Sequence, residues 1–300
     1  MKDFKYGNAI CYSGFRENQS PQTKVYPSYD EVKEDLLILE KEYDYIRMYS
    51  PSKHAEVTLQ VIRDLGLDLQ VMLGIDLKGE ESNPNCAWGG TYTDEEVVSN
   101  IAHNEEHLLQ LIKLANEYED IIFSVSAGNE ATPEWNENLV QPNRVLYFVN
   151  ELKKHTNQLV TYCENCAYWP TILGEVAEAV DFISLHTYPA WAGFTIDEAL
   201  ETSIKDFNNV QEAYPNKKCI ITEAGWPTVS HGRGIEPERA SEDFQKRYFK
   251  EINKWSKDNE TLVFFFEAFD EPWKGSDNPN EPEKHWGIYY VDRTPKKVLK

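Results

Sequence analysis

Two glutamates stand where a carboxylate is costly. Glu130 follows the apolar run 121–128 through Asn129, and Glu223 follows Cys219-Ile220-Ile221-Thr222. A charged group directly after a buried strand has to be paired, hydrogen-bonded or used. Either one alone is as readily a structural ion-pair partner as a catalyst. Two of them facing one bond are the machinery of glycosidic cleavage, one protonating the leaving oxygen and the other attacking the carbon. Tryptophan placement points the same way. Trp88, Trp135, Trp169, Trp191, Trp226, Trp273 and Trp286 fall in or beside segments that follow strand-like runs, whereas Trp255 lies in a helical pattern. Flat apolar faces with a polar edge suit the C–H faces of sugar rings.

Other constellations carry less. His103 and His107 share one helix face at i and i+4, a possible metal pair, but the motif is not HExxH and the helix is rich in charge, so it reads as a solvated face. His186 at a strand end reads as a hydrogen-bonding residue, because two carboxylates already supply the proton transfers. Cys163-Glu-Asn-Cys166 has metal-like spacing with no second pair to complete a zinc site, and reads as packing at a strand end. No GxSxG elbow, GxGxxG turn, P-loop or EF-hand spacing is present. No metal and no cofactor are expected.

These residues need elements to position them. Runs rich in β-branched and aromatic residues predict eight strands, at 5–11, 45–49, 69–75, 121–128, 159–163, 182–188, 219–224 and 262–269. Several are almost continuously apolar, as parallel strands covered on both faces should be. Helix starts lie between them: Ser28 with Glu31, Thr93 with Glu96 and Thr195 with Glu198 have capping-box spacing, and Ser50-Pro51 places a cap before a proline. Gly66 closes the helix after the second strand. Strict alternation predicts an α/β fold, a (β/α)8 TIM barrel with residues 1–300 as one domain. A doubly wound open sheet is the alternative, but it lacks its glycine-rich phosphate turn. In a barrel the chemistry lies at the C-terminal ends of the strands, where Glu130 and Glu223 stand.

Composition narrows the partners. Across 300 residues, 30 Lys+Arg against 51 Asp+Glu give a net charge of −21, which excludes recognition of nucleic acid by phosphate neutralisation. No window approaches the roughly 20 apolar residues of a membrane span, and residues 1–7 lack the apolar run of a secretion signal. Five cysteines, an odd and low number, argue against a disulfide framework.

Gly128-Asn129-Glu130, Thr222-Glu223-Ala224-Gly225-Trp226-Pro227, and the run from Phe264 through Glu271 and Lys274 to His285-Trp286-Gly287 resemble glycoside hydrolase family 17. Ala9-Ile10-Cys11-Tyr12 and Ile46-Arg47-Met48-Tyr49 extend the similarity over the whole chain. Asp270-Glu271-Pro272-Trp273 departs from the plant members, so the chain is more similar to microbial ones. The resemblance implies a retaining, endo-acting hydrolase of β-1,3-glucan of the laminarin type, with Glu130 as acid/base and Glu223 as nucleophile. It implies that Asn129 bonds the sugar 2-hydroxyl, that Tyr188 sits beside the nucleophile, and that Glu271 and Lys274 line the cleft, Lys274 holding Glu223 ionised. Tyr12, Arg47, Tyr49 and Trp226 are implied in substrate binding, and Trp88 is expected there for another reason: the Gly- and Asn-containing segment 76–90 that holds it is too long for an ordinary barrel turn and is expected to wall one end of the groove. The alternatives are a β-1,3-glucanosyltransferase using the same glutamates and a non-catalytic glucan-binding barrel. A polymeric β-glucan partner implies a secreted, periplasmic or surface-attached location, and a monomer is expected.

Overall fold

The computed structural model describes residues 4–87 and 89–300, so Trp88, expected at the cleft, lies outside the described residues. Among those residues, eight parallel strands pair in chain order and close on themselves: β1 (Ala9–Cys11), β2 (Tyr45–Met48), β3 (Gln70–Gly74), β4 (Ile122–Asn129), β5 (Leu159–Asn165), β6 (Ile183–Thr187), β7 (Cys219–Ala224) and β8 (Val263–Phe265). Closure is direct, with Ala9 and Ile10 of β1 registered on Phe264 and Phe265 of β8. The fold is the expected (β/α)8 barrel. The apolar runs mark its strands because both faces are covered; β7, for instance, is buried at every position.

The helices α1 (Tyr29–Leu39), α2 (Lys53–Leu65), α3 (Asp94–Glu117), α4 (Pro142–His155), α5 (Trp169–Ile172), α6 (Gly174–Ala179), α7 (Ala199–Ala213) and α8 (Glu242–Asp258) form the crossovers. The capping boxes of Ser28 with Glu31 and Thr93 with Glu96 close as expected, and Gly66 ends α2 in the left-handed conformation. Two starts differ. Helix α2 begins after Ser52 rather than Ser50, and Thr195 bonds the Glu198 carboxylate within the turn that precedes α7.

The last crossover also departs from strict alternation, since no α-helix follows β8 among the described residues. The run expected as strand over 262–269 leaves the regular ladder after Phe265: Phe266 N–H still donates to Ala224 O and Ala268 N–H to Cys11 O, each at 2.9 Å, but a returning segment takes up the other backbone groups. Glu267 N–H donates to Trp286 O at 3.2 Å, Ile288 N–H to Glu267 O at 2.9 Å, and Tyr289 N–H to Ala268 O at 2.9 Å. That pairing carries 267–287 across the barrel mouth.

Candidate active site

Glu130 sits on a backbone built to turn it inward. The ladder between β4 and β5 shifts register between Ser126 and Asn129. Gly128 takes φ 149°, and a Cβ there would lie 2.9 Å from Leu77 Cδ1 and 3.0 Å from Tyr162 Cε2, so only glycine fits. Glu130 itself has φ 45°, a conformation costing a non-glycine residue of order 1–3 kcal/mol. Its backbone is fixed on both sides: its N–H donates to Cys163 O at 2.9 Å, and Asn136 Nδ2 donates to its carbonyl. Glu223 lies near the end of β7, registered on His186 of β6. The next turn requires Gly225, where a Cβ would sit 2.2 Å from Phe266 O.

The two carboxylates meet at His186. Its Nδ1 is 2.9 Å from Glu130 Oε1 and 3.6 Å from Glu223 Oε2. Those two oxygens are therefore at most 2.9 plus 3.6, or 6.5 Å, apart, and closer for any bent angle at the nitrogen. Burial alone would keep this imidazole neutral, but Glu223 and Glu130 push its pKa up to about 10. Glu223 shifts the opposite way. Burial alone would raise it, yet the charges of His186 and Arg47 and the hydrogen bonds of Tyr188 and Arg47 hold it at about 2. Tyr188 Oη donates to Glu223 Oε2 at 2.5 Å. Arg47 Nη1 donates to Glu223 Oε1 and, at 3.3 Å, to Thr222 O, while its Nη2 donates to Asn129 Oδ1. With that carbonyl taken, Asn129 has its amide N–H donors to offer a sugar hydroxyl. The Arg47 guanidinium lies 4.4 Å above the half-buried Tyr49 ring.

Lys274 is held by two acids of its own segment. Its Nζ pairs with Glu267 at 3.0 Å and with Glu271, and lies 4.5 Å over the Phe266 ring. Glu271 Oε1 also accepts from Ser13 Oγ and, at 2.9 Å, from Trp273 Nε1. Burial and the neighbouring Glu271 push Glu267 well above the ordinary carboxylate range, against the pull of Lys274. The charges that most favour ionised Glu223 are those of His186 and Arg47.

Two expected substrate contacts are corrected by burial. Trp226 has no exposed surface; its Nε1 donates to Arg239 O at 2.8 Å and its ring packs on Tyr248. Tyr12, directly after β1, is buried, its hydroxyl donating to Asp35 of α1 at 3.2 Å in an ion-pair cluster with Arg16 and Arg293. Trp169 and Trp286 are likewise fully buried. Trp286 supports the Tyr188 ring edge-on at 5.2 Å. Of the strand-end tryptophans described, Trp135, Trp191 and Trp273 retain surface.

The family model of the BtgE/BtgC glycoside hydrolase domain matches residues 9–287. The chain belongs to this family. It is 25% identical over 303 residues to a probable glucan endo-1,3-beta-glucosidase, btgC, of Aspergillus flavus, covering 92% of this chain and 41% of that protein. The chain thus spans about two-fifths of the length of the curated btgC relatives it matches. Among solved structures it is similar to an endo-laminarinase from Formosa Hel1_33_131, with 26% identity, a TM-score of 0.83, and coverage of 97% of this chain and 85% of that one. A Rhizomucor miehei beta-1,3-glucanosyltransferase in complex with laminaritriose shares the fold, at 20% identity, a TM-score of 0.75 and coverage of 98% and 96%.

In this BtgE/BtgC domain, His186 bonds at the end of β6, where the sequence places a hydrogen-bonding histidine, and it is the hub of the carboxylate pair. Sequence reasoning passed over two other groups, Glu164 and Glu283. Glu164 hides inside Cys163-Glu-Asn-Cys166. It is fully buried, accepting from Thr132 Oγ1 and Tyr162 Oη at 2.7 Å each and from Asn165 N–H at 2.7 Å, and burial together with Glu130 pushes it up to about 7. All five cysteines are free thiols, and Cys163, buried beside it, accepts a hydrogen bond from Ser126 Oγ at 3.3 Å. Glu283 feels Lys274, Glu281, Glu130 and Glu223, and burial pushes it up to about 7. No helix among the described residues is long and apolar enough to cross a membrane.

Proposed function

We propose that this chain is a retaining, endo-acting hydrolase of β-1,3-glucan. The observation that carries the reading is the convergence of Glu130 and Glu223 on His186 Nδ1. Retaining pairs stand about 5–5.5 Å apart and inverting pairs roughly 6.5–9.5 Å, to admit a water. Facing oxygens no more than 6.5 Å apart are compatible with the retaining separation. Glu130 gives its proton to the departing glycosidic oxygen while Glu223 bonds to the anomeric carbon. A water, deprotonated by Glu130, then displaces Glu223 and restores both groups. Arg47 and Tyr188 hold both oxygens of Glu223 in place and ionised, which a nucleophile needs. Asn129 donates to the sugar 2-hydroxyl. The family and the likeness to an endo-laminarinase support β-1,3-glucan as substrate.

The roles are tested by leaving group. Glu223→Ala should lose activity by several orders of magnitude on every substrate. Glu130→Ala should lose far more on laminarin than on an activated aryl glycoside, whose leaving group needs little protonation. Equal losses on both substrates overturn the assignment of Glu130. Hydrolysis predicts that all products from a defined β-1,3-oligosaccharide are shorter than the substrate, whereas longer products mean transfer to a sugar hydroxyl.

A further inference from the structure

His103 and His107 do not form the solvated face their helix composition suggests. They stand one turn apart on α3 with ring centroids 3.8 Å apart, turned toward Asp76, which follows β3. His107 Nδ1 is 2.6 Å from Asp76 Oδ1, and His103 Nε2 is 4.0 Å from Asp76 Oδ2. His103 Nε2 is buried and, among the described residues, makes no hydrogen bond. One ligand atom from each residue lies within 4.8 Å of the other two. We propose that Asp76, His103 and His107 form a binding site for a zinc-class divalent transition metal, separate from the carboxylate pair.

The donor set and its spacing support this. Zinc bonds of about 2.0–2.2 Å to nitrogen and oxygen, arranged tetrahedrally, put ligand atoms roughly 3.3 Å apart. The three ligand atoms lie within 4.8 Å of one another, and an ion would enter by opening the 2.6 Å contact of His107 with Asp76 and drawing His103, now 4.0 Å from the other Asp76 oxygen, inward. Two imidazoles and one carboxylate suit zinc, nickel and copper, whereas calcium and magnesium prefer all-oxygen shells. Asp76 is half exposed, leaving a side open for a water as fourth ligand. Tyr26, Lys78 and Glu106 also face the cluster, and the charges of Lys78 and Glu106 offset each other.

The site has a mechanical consequence. Asn104, between the two histidines, accepts from Lys78 N–H at 2.8 Å and donates to Lys78 O at 2.9 Å, and Asn100 donates to Gly79 O at 2.9 Å. A bound ion would add a coordinate link where the chain leaves β3, pinning the start of the long connection to α3.

The test is calorimetric titration of the untagged chain with zinc chloride in a non-chelating buffer. Saturation at one equivalent is expected, with thermal stabilisation by zinc. Affinity should fall by about tenfold or more in His103→Ala, His107→Ala and Asp76→Asn. Should an alanine variant fail to fold, His103→Gln and His107→Gln keep polar side chains there and report the same loss. Cobalt should give visible d–d bands of a low-coordinate ion in the wild type and not in the variants. Excess calcium should leave the zinc isotherm in place. No saturable zinc binding, equal binding by the folded variants, or displacement by calcium would each overturn the proposal.

Discussion

Removal of Arg47 tests the electrostatic logic of the site most sharply. The Glu223 carboxyl sits at about 2 against an ordinary 4.5. At 1.36 kcal/mol per unit, that is a net preference of about 3 kcal/mol for the ionised form. Burial opposes it, so His186, Arg47 and Tyr188 together supply more than this. Arg47 provides one of the two charges and one of the two hydrogen bonds acting on Glu223. Arg47→Met, which keeps apolar volume, should therefore raise Glu223 by about 1–2 units. The acidic limb of kcat/KM on laminarin, followed by reducing-end release, should move up by the same amount. A depressed carboxyl adds stability above its unfolded value of about 4.5 that is lost as pH falls toward 2. The variant should lose part of that contribution, because its folded pKa lies closer to the unfolded one. Asn129 would also lose the donor on its carbonyl, so kcat should fall even at neutral pH. Arg47→Lys keeps a charge, but one ammonium cannot replace the planar fork spanning Glu223 and Asn129. It should leave the acidic limb near wild type while kcat stays low. A Met variant with the wild-type limb and kcat would refute the reasoning, and a Lys variant with full kcat would refute the role of the fork.

The imidazolium of His186 is raised to about 10, so the stability it contributes is fully present below about 6.5 and lost as pH rises through about 10. Chemical denaturation across that range should show the loss in the wild type and not in His186→Asn. Trp226→Phe should lower stability by roughly 1–3 kcal/mol, through lost packing and the unpaired Arg239 carbonyl, while KM on laminari-oligosaccharides stays unchanged; a raised KM with unaltered stability would return Trp226 to the cleft. Lys274→Met strands Glu267 and Glu271 without their cation, and should cost about 3–5 kcal/mol in unfolding free energy while the acidic limb of the rate profile stays put. An upward move of that limb in a stable variant would tie Lys274 to Glu223 after all.

The barrel was legible because parallel strands covered on both faces carry continuous apolar runs, and β7 matches its expected span residue for residue. Glu130 and Glu223 were legible for the complementary reason, as charges where such runs end. What sequence hides is the neighbour across the barrel. Arg47 and Glu223 are 176 positions apart, and no local pattern announces that β2 reaches over to β7. Trp226 misled because packing tryptophans and sugar-facing ones can both follow strands, and only the Arg239 carbonyl and Tyr248 decide which this one is. Lys274 did carry a readable signal. Glu267 interrupts the apolar run 262–269, and an acid inside such a run needs a cation near at hand. Lys274 is seven residues on, and three beyond Glu271. The need of Glu267 and Glu271 for a counter-charge, rather than the neighbourhood of Glu223, fixes where that lysine points.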